Sequence, residues 1–179
     1  MTQKESGSKQ RGAEGTRKGN RRRMSLARTY EASLEDIWSL WTTKKGIESW
    51  WGPEGFTVEV RTLDLRPEGE LLYTMTATGP SQIEFMKRAG MSLTTEARLT
   101  YTEVSPMHCL AYIHLVDFIP EVEAYDVATV VEFHAERNRV RMVVHLDAMH
   151  SDEWTQRAVS GWESQLSKVD QLFRRLEEK

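Results

Sequence analysis

Five histidines and one cysteine are the side chains in this 179-residue chain best suited to metal, nucleophilic or acid–base chemistry. Their spacing argues against most of it. A zinc site needs ligand patterns such as His-Glu-x-x-His or paired Cys-x-x-Cys, and none occurs, so no metal and no cofactor are expected. Cys109, the only cysteine, excludes an intrachain disulfide, and a reducing, cytoplasmic setting is expected. Its only adjacent basic side chain is His108, and there is neither a Gly-x-Ser-x-Gly elbow nor a glycine-rich phosphate loop. His114 and Asp117 stand three apart on a strand-like stretch, hence on opposite faces. His145 and Asp147 share a face, but they share it with Arg139 and Arg141, which marks it as solvated; His150 reads as a turn residue.

His114 is the exception. If Leu110, Tyr112, His114, Val116 and Phe118 point inward, the imidazole sits in an apolar wall beside Tyr112. Desolvation there favours the neutral ring, which can act as base or donor. His114 and Tyr112 are therefore weak catalytic candidates, against the plainer reading of a satisfied core histidine. No carboxylate among Asp64, Glu103, Asp117 and Asp126 is tied to them by spacing, so enzymatic activity is left open, with binding favoured. A second set has the chemistry to hold an apolar ligand. Trp41, Trp50, Trp51, Phe56, Tyr73, Met75, Met86, Tyr112, His114, Phe118 and Trp162 supply flat ring faces and an adaptable thioether. The bland alternative is that such side chains are simply core.

Positioning these residues requires strands and one long helix. Residues 26–32 alternate as a short strand. Ser33 then caps a helix with Asp36 near the capping-box position and Leu34, Ile37, Trp38 and Trp41 on one face. A second short helix is expected over 43–49, stopped by Gly52 and Pro53. Strands are expected at 56–65 and 70–78, joined by a Pro67–Gly69 turn, and a short helix at 82–89 ended by Gly90. Further strands are expected at 93–104, 107–118, 124–134 and 139–148. The last alternates most clearly, with Val140, Met142, Val144 and Leu146 against Arg139, Arg141, His145 and Asp147. Ser151 caps a long amphipathic helix to about residue 176, its stripe running through Trp154, Ala158, Trp162, Leu166, Val169, Phe173 and Leu176. The fold class is therefore α+β, a curved antiparallel sheet of six or seven strands covered by a single long helix. That arrangement tends to leave a lined cavity suited to a small apolar ligand.

The formal net charge of −3 is a cancellation. Residues 1–28 hold nine basic and two acidic side chains, +7, leaving 15 basic and 25 acidic, −10, for the rest. Residues 1–24 carry almost no apolar side chains and are expected to form a disordered basic tail, with the folded domain at 25–179 and Met24 a second candidate start of translation. Neither a signal peptide nor a membrane span is expected, because no apolar run approaches the required length. A nucleic-acid partner is not expected, since the basic tail lacks aromatics and the body lacks a basic face.

Several motifs together resemble a known family. These are Arg28-Thr29-Tyr30-Glu31-Ala32, Ile37-Trp38, Trp41-Thr42, Trp50-Trp51-Gly52-Pro53-Glu54-Gly55-Phe56, the Asp64-Leu65-Arg66-Pro67-Glu68-Gly69 turn and Gly161-Trp162. The chain resembles the SRPBCC (START-like) superfamily over residues 26–176. Within it, the chain is similar to bacterial homologues of the C-terminal domain of the activator of a heat-shock chaperone's ATPase. The resemblance implies a helix-grip fold with a hydrophobic cavity between sheet and long helix. It leaves three functions: binding of a lipid or aromatic, polyketide-like molecule; a chaperone-activating module of the stress response; or a cyclase- or hydrolase-like enzyme. A monomer or homodimer is expected. Glu68 replaces the first glycine of the family's Asp-x-Arg-Pro-Gly-Gly turn, a departure expected to matter little because Gly69 remains.

Overall fold

The computed structural model describes residues 22–117, 119 and 121–177, with side chains described through residue 174. Seven strands, β1 (Arg23–Tyr30), β2 (Phe56–Leu63), β3 (Glu70–Ala77), β4 (Thr94–Ser105), β5 (Cys109–Val116), β6 (Tyr125–Glu136) and β7 (Arg139–Asp147), form one sheet in the order β1-β7-β6-β5-β4-β3-β2, every pair antiparallel. The curved sheet is of the START-like type. Four helices accompany it: α1 (Leu34–Thr42), α2 (Lys44–Trp50), α3 (Pro80–Arg88) and α4 (Asp152–Glu177).

The element order is the expected one; the differences lie at boundaries. β1 begins at Arg23 because the sheet holds it there. Arg23 and Met24 pair with Asp147 and Leu146 of β7, and the Arg22 carbonyl accepts a hydrogen bond from Ala148 N at 2.7 Å. Residues expected in the tail thus close the sheet edge, while the remainder of the expected tail, 1–21, lies outside the described residues, as does Phe118. α3 starts at Pro80, where proline fills the first helical position and needs no N–H partner. β5 stops at Val116.

α4 faces the inner surface of the sheet, and it packs most tightly in its second half. Leu166 and Val169 are fully buried against a core that includes Val131, Val144, Phe133 and Trp50. Each such side chain contributes roughly 1.5–3 kcal/mol by leaving water. Thr43 separates α1 from α2 by capping both: its hydroxyl donates to Ser39 O (2.8 Å) and accepts from Gly46 N (3.0 Å). Beside the β2 bulge, Val60 N donates to Glu48 Oε1 of α2 at 2.8 Å, which ties this edge strand to the helix.

The turn before β3 corrects one expectation. Glu68 stands at φ 66°, in the left-handed region, while its N–H donates to Tyr101 O at 2.8 Å. Gly69 is required for space, since a Cβ there would lie 2.1 Å from Asp64 O. The family's first glycine therefore answers a backbone demand that Gly69 does not meet, and a side chain in this conformation costs about 1–2 kcal/mol. Part of that is offset by the unfolded-state freedom that glycine would add. Glu68→Gly is expected to stabilise the fold by about 0.5–1 kcal/mol in urea unfolding; no gain or a loss would show that the turn is relaxed with glutamate.

Candidate functional site

The first half of α4 and the sheet beneath it do not close on one another. Between them lies a cavity of about 310 Å³, at the lower end of the ~300–1,000 Å³ range of small-molecule sites. The strand register explains its place. Leu110, Val131 and Val144 form one inward row of the packed core, all fully buried. The next row, Tyr112, Thr129 and Leu146, and the one beyond it, His114 and Val127, line the cavity, followed by Val116. From α4 come Trp154, Arg157, Ala158, Gly161, Trp162 and Gln165, one face of the helix.

An aromatic wall separates cavity from core. Trp51 meets Trp162 edge-on at 5.8 Å and Tyr73 edge-on at 6.2 Å, lies tilted against Tyr112 at 6.2 Å, and Trp162 stacks on Trp41 behind it at 6.1 Å. Trp51 follows α2 in an irregular loop, and α4 fixes that loop with three side chains. Gln165 Oε1 accepts from Gly52 N at 3.0 Å, Ser164 Oγ accepts from Glu54 N at 3.0 Å, and Lys168 Nζ donates to Gly52 O at 3.0 Å. Burial lowers the Lys168 pKa, partly countered by the Glu54 charge.

The wall carries three polar groups. Tyr112 Oη is fully enclosed and has no hydrogen-bond partner of good geometry. Burial pushes its phenol well above the usual range, with the adjoining Thr129 hydroxyl acting weakly the other way. Among the described residues, Tyr30 Oη and Trp41 Nε1 in the packed core are enclosed without a well-aligned partner in the same way. Thr129 is itself buried. His114 has its pKa lowered by desolvation, against a smaller opposing pull from Asp117. At the mouth the charged groups are already paired. Asp147 accepts from Arg23 Nε at 3.0 Å, and Arg157 Nη2 donates to Glu153 at 2.7 Å with its guanidinium 5.1 Å from the Trp154 ring. His150 is held by Tyr125 Oη at 2.8 Å and lies beside Trp154. Among the described residues no group of three or more His, Cys, Asp or Glu side chains could hold a metal ion.

Of the residues singled out from the sequence, Trp51, Tyr73, Tyr112, His114 and Trp162 line the cavity. Trp41 and Trp50 do not, being packed against one another at 4.7 Å within the core. Phe56 and Met75 pack near Gly52 and do not line the cavity. Met86 is buried within α3, which packs on β3 away from α4. Phe118 lies outside the described residues. Thr129 and Gly161 are among several further lining residues outside that candidate set. Thr129 was legible as the polar member of an inward-facing alternation with Val131 and Phe133, and Gly161 as a glycine inside the helix stripe.

Residues 31–174 match the sequence profile of the family described as activator of Hsp90 ATPase homolog 1-like protein. The chain belongs to this family. No curated protein matches it. A crystal structure of a protein from Chromobacterium violaceum superposes with a TM-score of 0.67 at 18% identity, covering 84% of this chain and 96% of that one. One from Mycobacterium smegmatis gives 0.65 at 19% identity, covering 86% and 92%. The AHSA1 protein of Silicibacter pomeroyi gives 0.64 at 17% identity, covering 83% and 94%. These likenesses establish the fold. No described helix is long and apolar enough to cross a membrane.

The His114 environment has a measurable consequence for this AHSA1-family domain. Because the fold favours the neutral ring, the unfolded chain takes up the proton more readily. Stability is therefore lost as pH falls below the unfolded value of 6.5, until the lower folded value is passed. His114→Asn is expected to shrink the difference in urea unfolding free energy between about pH 7.5 and about pH 5.5; an unchanged difference would mean that His114 is as freely protonated in the fold as out of it.

Proposed function

We propose that this domain binds a small hydrophobic molecule in the cavity beneath the first half of α4. The observation that carries the reading is Gly161. A glycine in a helix interior costs about 1 kcal/mol relative to alanine. A Cβ placed there would meet nothing within 4 Å. No neighbour requires the glycine, and what it leaves is room inside the cavity. Trading helix stability for open, aromatic-walled space is what a binding site does and a core does not. The ring faces of Trp51, Trp162 and Tyr73 suit a flat or apolar guest, lipid or aromatic. The chaperone-activating alternative is not favoured, and it has no support beyond the family description. For a cyclase- or hydrolase-like reaction the geometry offers only that Tyr112 and His114 share a wall.

Native mass spectrometry of gently purified protein, with displacement of a fluorescent apolar dye by fatty acids and by polycyclic aromatics, tests the reading. Displacement by one of these classes is expected, and Gly161→Leu, which fills the open space, is expected to weaken it at least tenfold. Gly161→Ala should meanwhile stabilise the fold by about 0.5–1 kcal/mol. No displacement by any competitor would overturn the proposal.

A further inference from the structure

The end of the sheet at which the cavity opens is strongly acidic. Asp147 lines the mouth, and Asp152 and Glu153 stand in the first turn of α4, just before the lining residue Trp154. Asp126 precedes the lining residue Val127 on β6, and exposed Glu121 and Glu123 lie in the connection that leads into that strand. Tyr125 Oη holds His150 of the loop before α4 at 2.8 Å, which joins the two acidic groups into one rim. Charge gathered in this way repels itself unless cations meet it.

The chain carries such cations on the strand that enters here. The first described residues are already paired with the rim: Arg22 Nη2 donates to Asp152 Oδ1 at 2.9 Å and Arg23 Nε to Asp147 Oδ1 at 3.0 Å. Residues 1–21, outside the described part of the chain, hold Lys4, Lys9, Arg11, Arg17, Lys18 and Arg21 against Glu5 and Glu14, a net charge of +4. Arg17, Lys18 and Arg21 stand at most five positions before Arg22, a reach of up to ~18 Å. In the sheet order β1-β7-β6 the acidic strand is two places from β1, about 10 Å across. Single exposed ion pairs are weak, but a tethered segment meets its carboxylates at an effective concentration on the order of millimolar. A separate basic peptide lacks that tether.

We propose that residues 1–21 dock back across this acidic rim, with Arg17, Lys18 and Arg21 on the carboxylates of Glu121 and Glu123, and so form a salt-sensitive cover on the cavity mouth. The docking stands on the charges and the tether alone. Its effect, slower exchange of the guest, rests on the binding reading above.

Carbodiimide coupling, which joins a lysine amine directly to a neighbouring carboxylate, reads the docking on the full chain without any guest. At about 20 mM salt, Lys18 is expected to couple within one molecule to Glu121, Glu123 or Asp126, and the yield is expected to fall about fivefold or more at about 0.5 M salt. Coupling of Lys18 mainly to Glu31 or Glu136 at the opposite end of the sheet, only between molecules, or not at all overturns the proposal. Removing residues 2–20 leaves Arg22 and Arg23 in place. Stopped-flow mixing with the fluorescent apolar dye is then expected to show association and dissociation both about threefold faster or more at low salt, with the affinity within about twofold and the difference gone at about 0.5 M salt. Rates unchanged by the deletion overturn the cover, even where Lys18 couples as expected. If the dye does not enter the wild-type protein, the binding reading fails and the cover with it, while the coupling still decides the docking.

Discussion

The interior of this domain is organised by the burial of four indoles at the place where α2, its trailing loop and α4 meet. Trp41, Trp50, Trp51 and Trp162 lie within 4.7–6.1 Å of one another, centroid to centroid, along the chain of contacts that joins them. Side chains of this size bury about 150–250 Å² each, and once they are placed, α4 cannot approach the sheet equally along its length. Beyond the cluster Leu166 and Val169 reach the sheet core. Before it, the helix is held off, and the gap becomes the cavity. The hydrogen bonds from Gln165, Ser164 and Lys168 to the Trp51–Glu54 loop tie the wall to the helix that roofs it. Wall and roof are therefore joined, and the cavity's shape is set by the same contacts that hold the fold together.

Much of this was legible in the sequence because it follows from periodicity. The inward alternation Leu110, Tyr112, His114, Val116 and the three-to-four stripe on the last helix each assign a face without reference to anything distant. Together they place strand and helix residues opposite one another. Which aromatics line a cavity is not a local property. Trp41 and Trp51 have the same chemistry and lie on adjacent elements, yet the first is enclosed by Trp50, Phe133 and Trp162, and the second fronts open space. Only the depth of packing behind each ring decides between them, and depth is fixed by long-range contacts. Met75 and Met86 are candidates only by their flexibility, a trait that says what a side chain could fit and nothing about where it sits.

The boundaries that differed have the same origin. Alternation at residues 26–32 marks the start of a strand only as far as hydrophobicity reports it. The sheet extends β1 back to Arg23 through backbone pairing, which is blind to side-chain polarity, and through the Arg23–Asp147 ion pair on its outer edge. That pair, at a sheet edge and more than half exposed on the arginine side, adds little to stability by itself. Its effect is local and electrostatic: it neutralises the carboxylate at the cavity mouth. Residues that look like part of a basic tail thereby contribute to the mouth of the cavity.

Glu68 and Gly161 can be placed on one scale, because each departs from what a fold optimised for stability alone would choose. Glu68 carries a side chain where the backbone favours none; Gly161 lacks one where the helix favours one. Each departure costs about 1–2 kcal/mol, a noticeable share of the roughly 5–15 kcal/mol that separates folded from unfolded domains. Glu68 stands apart from the cavity and is strain with no adjoining site to account for it. Gly161 lines the cavity. A guest that occupies the open volume would offset its cost, so binding would return to the folded state the stability that this residue withholds from it.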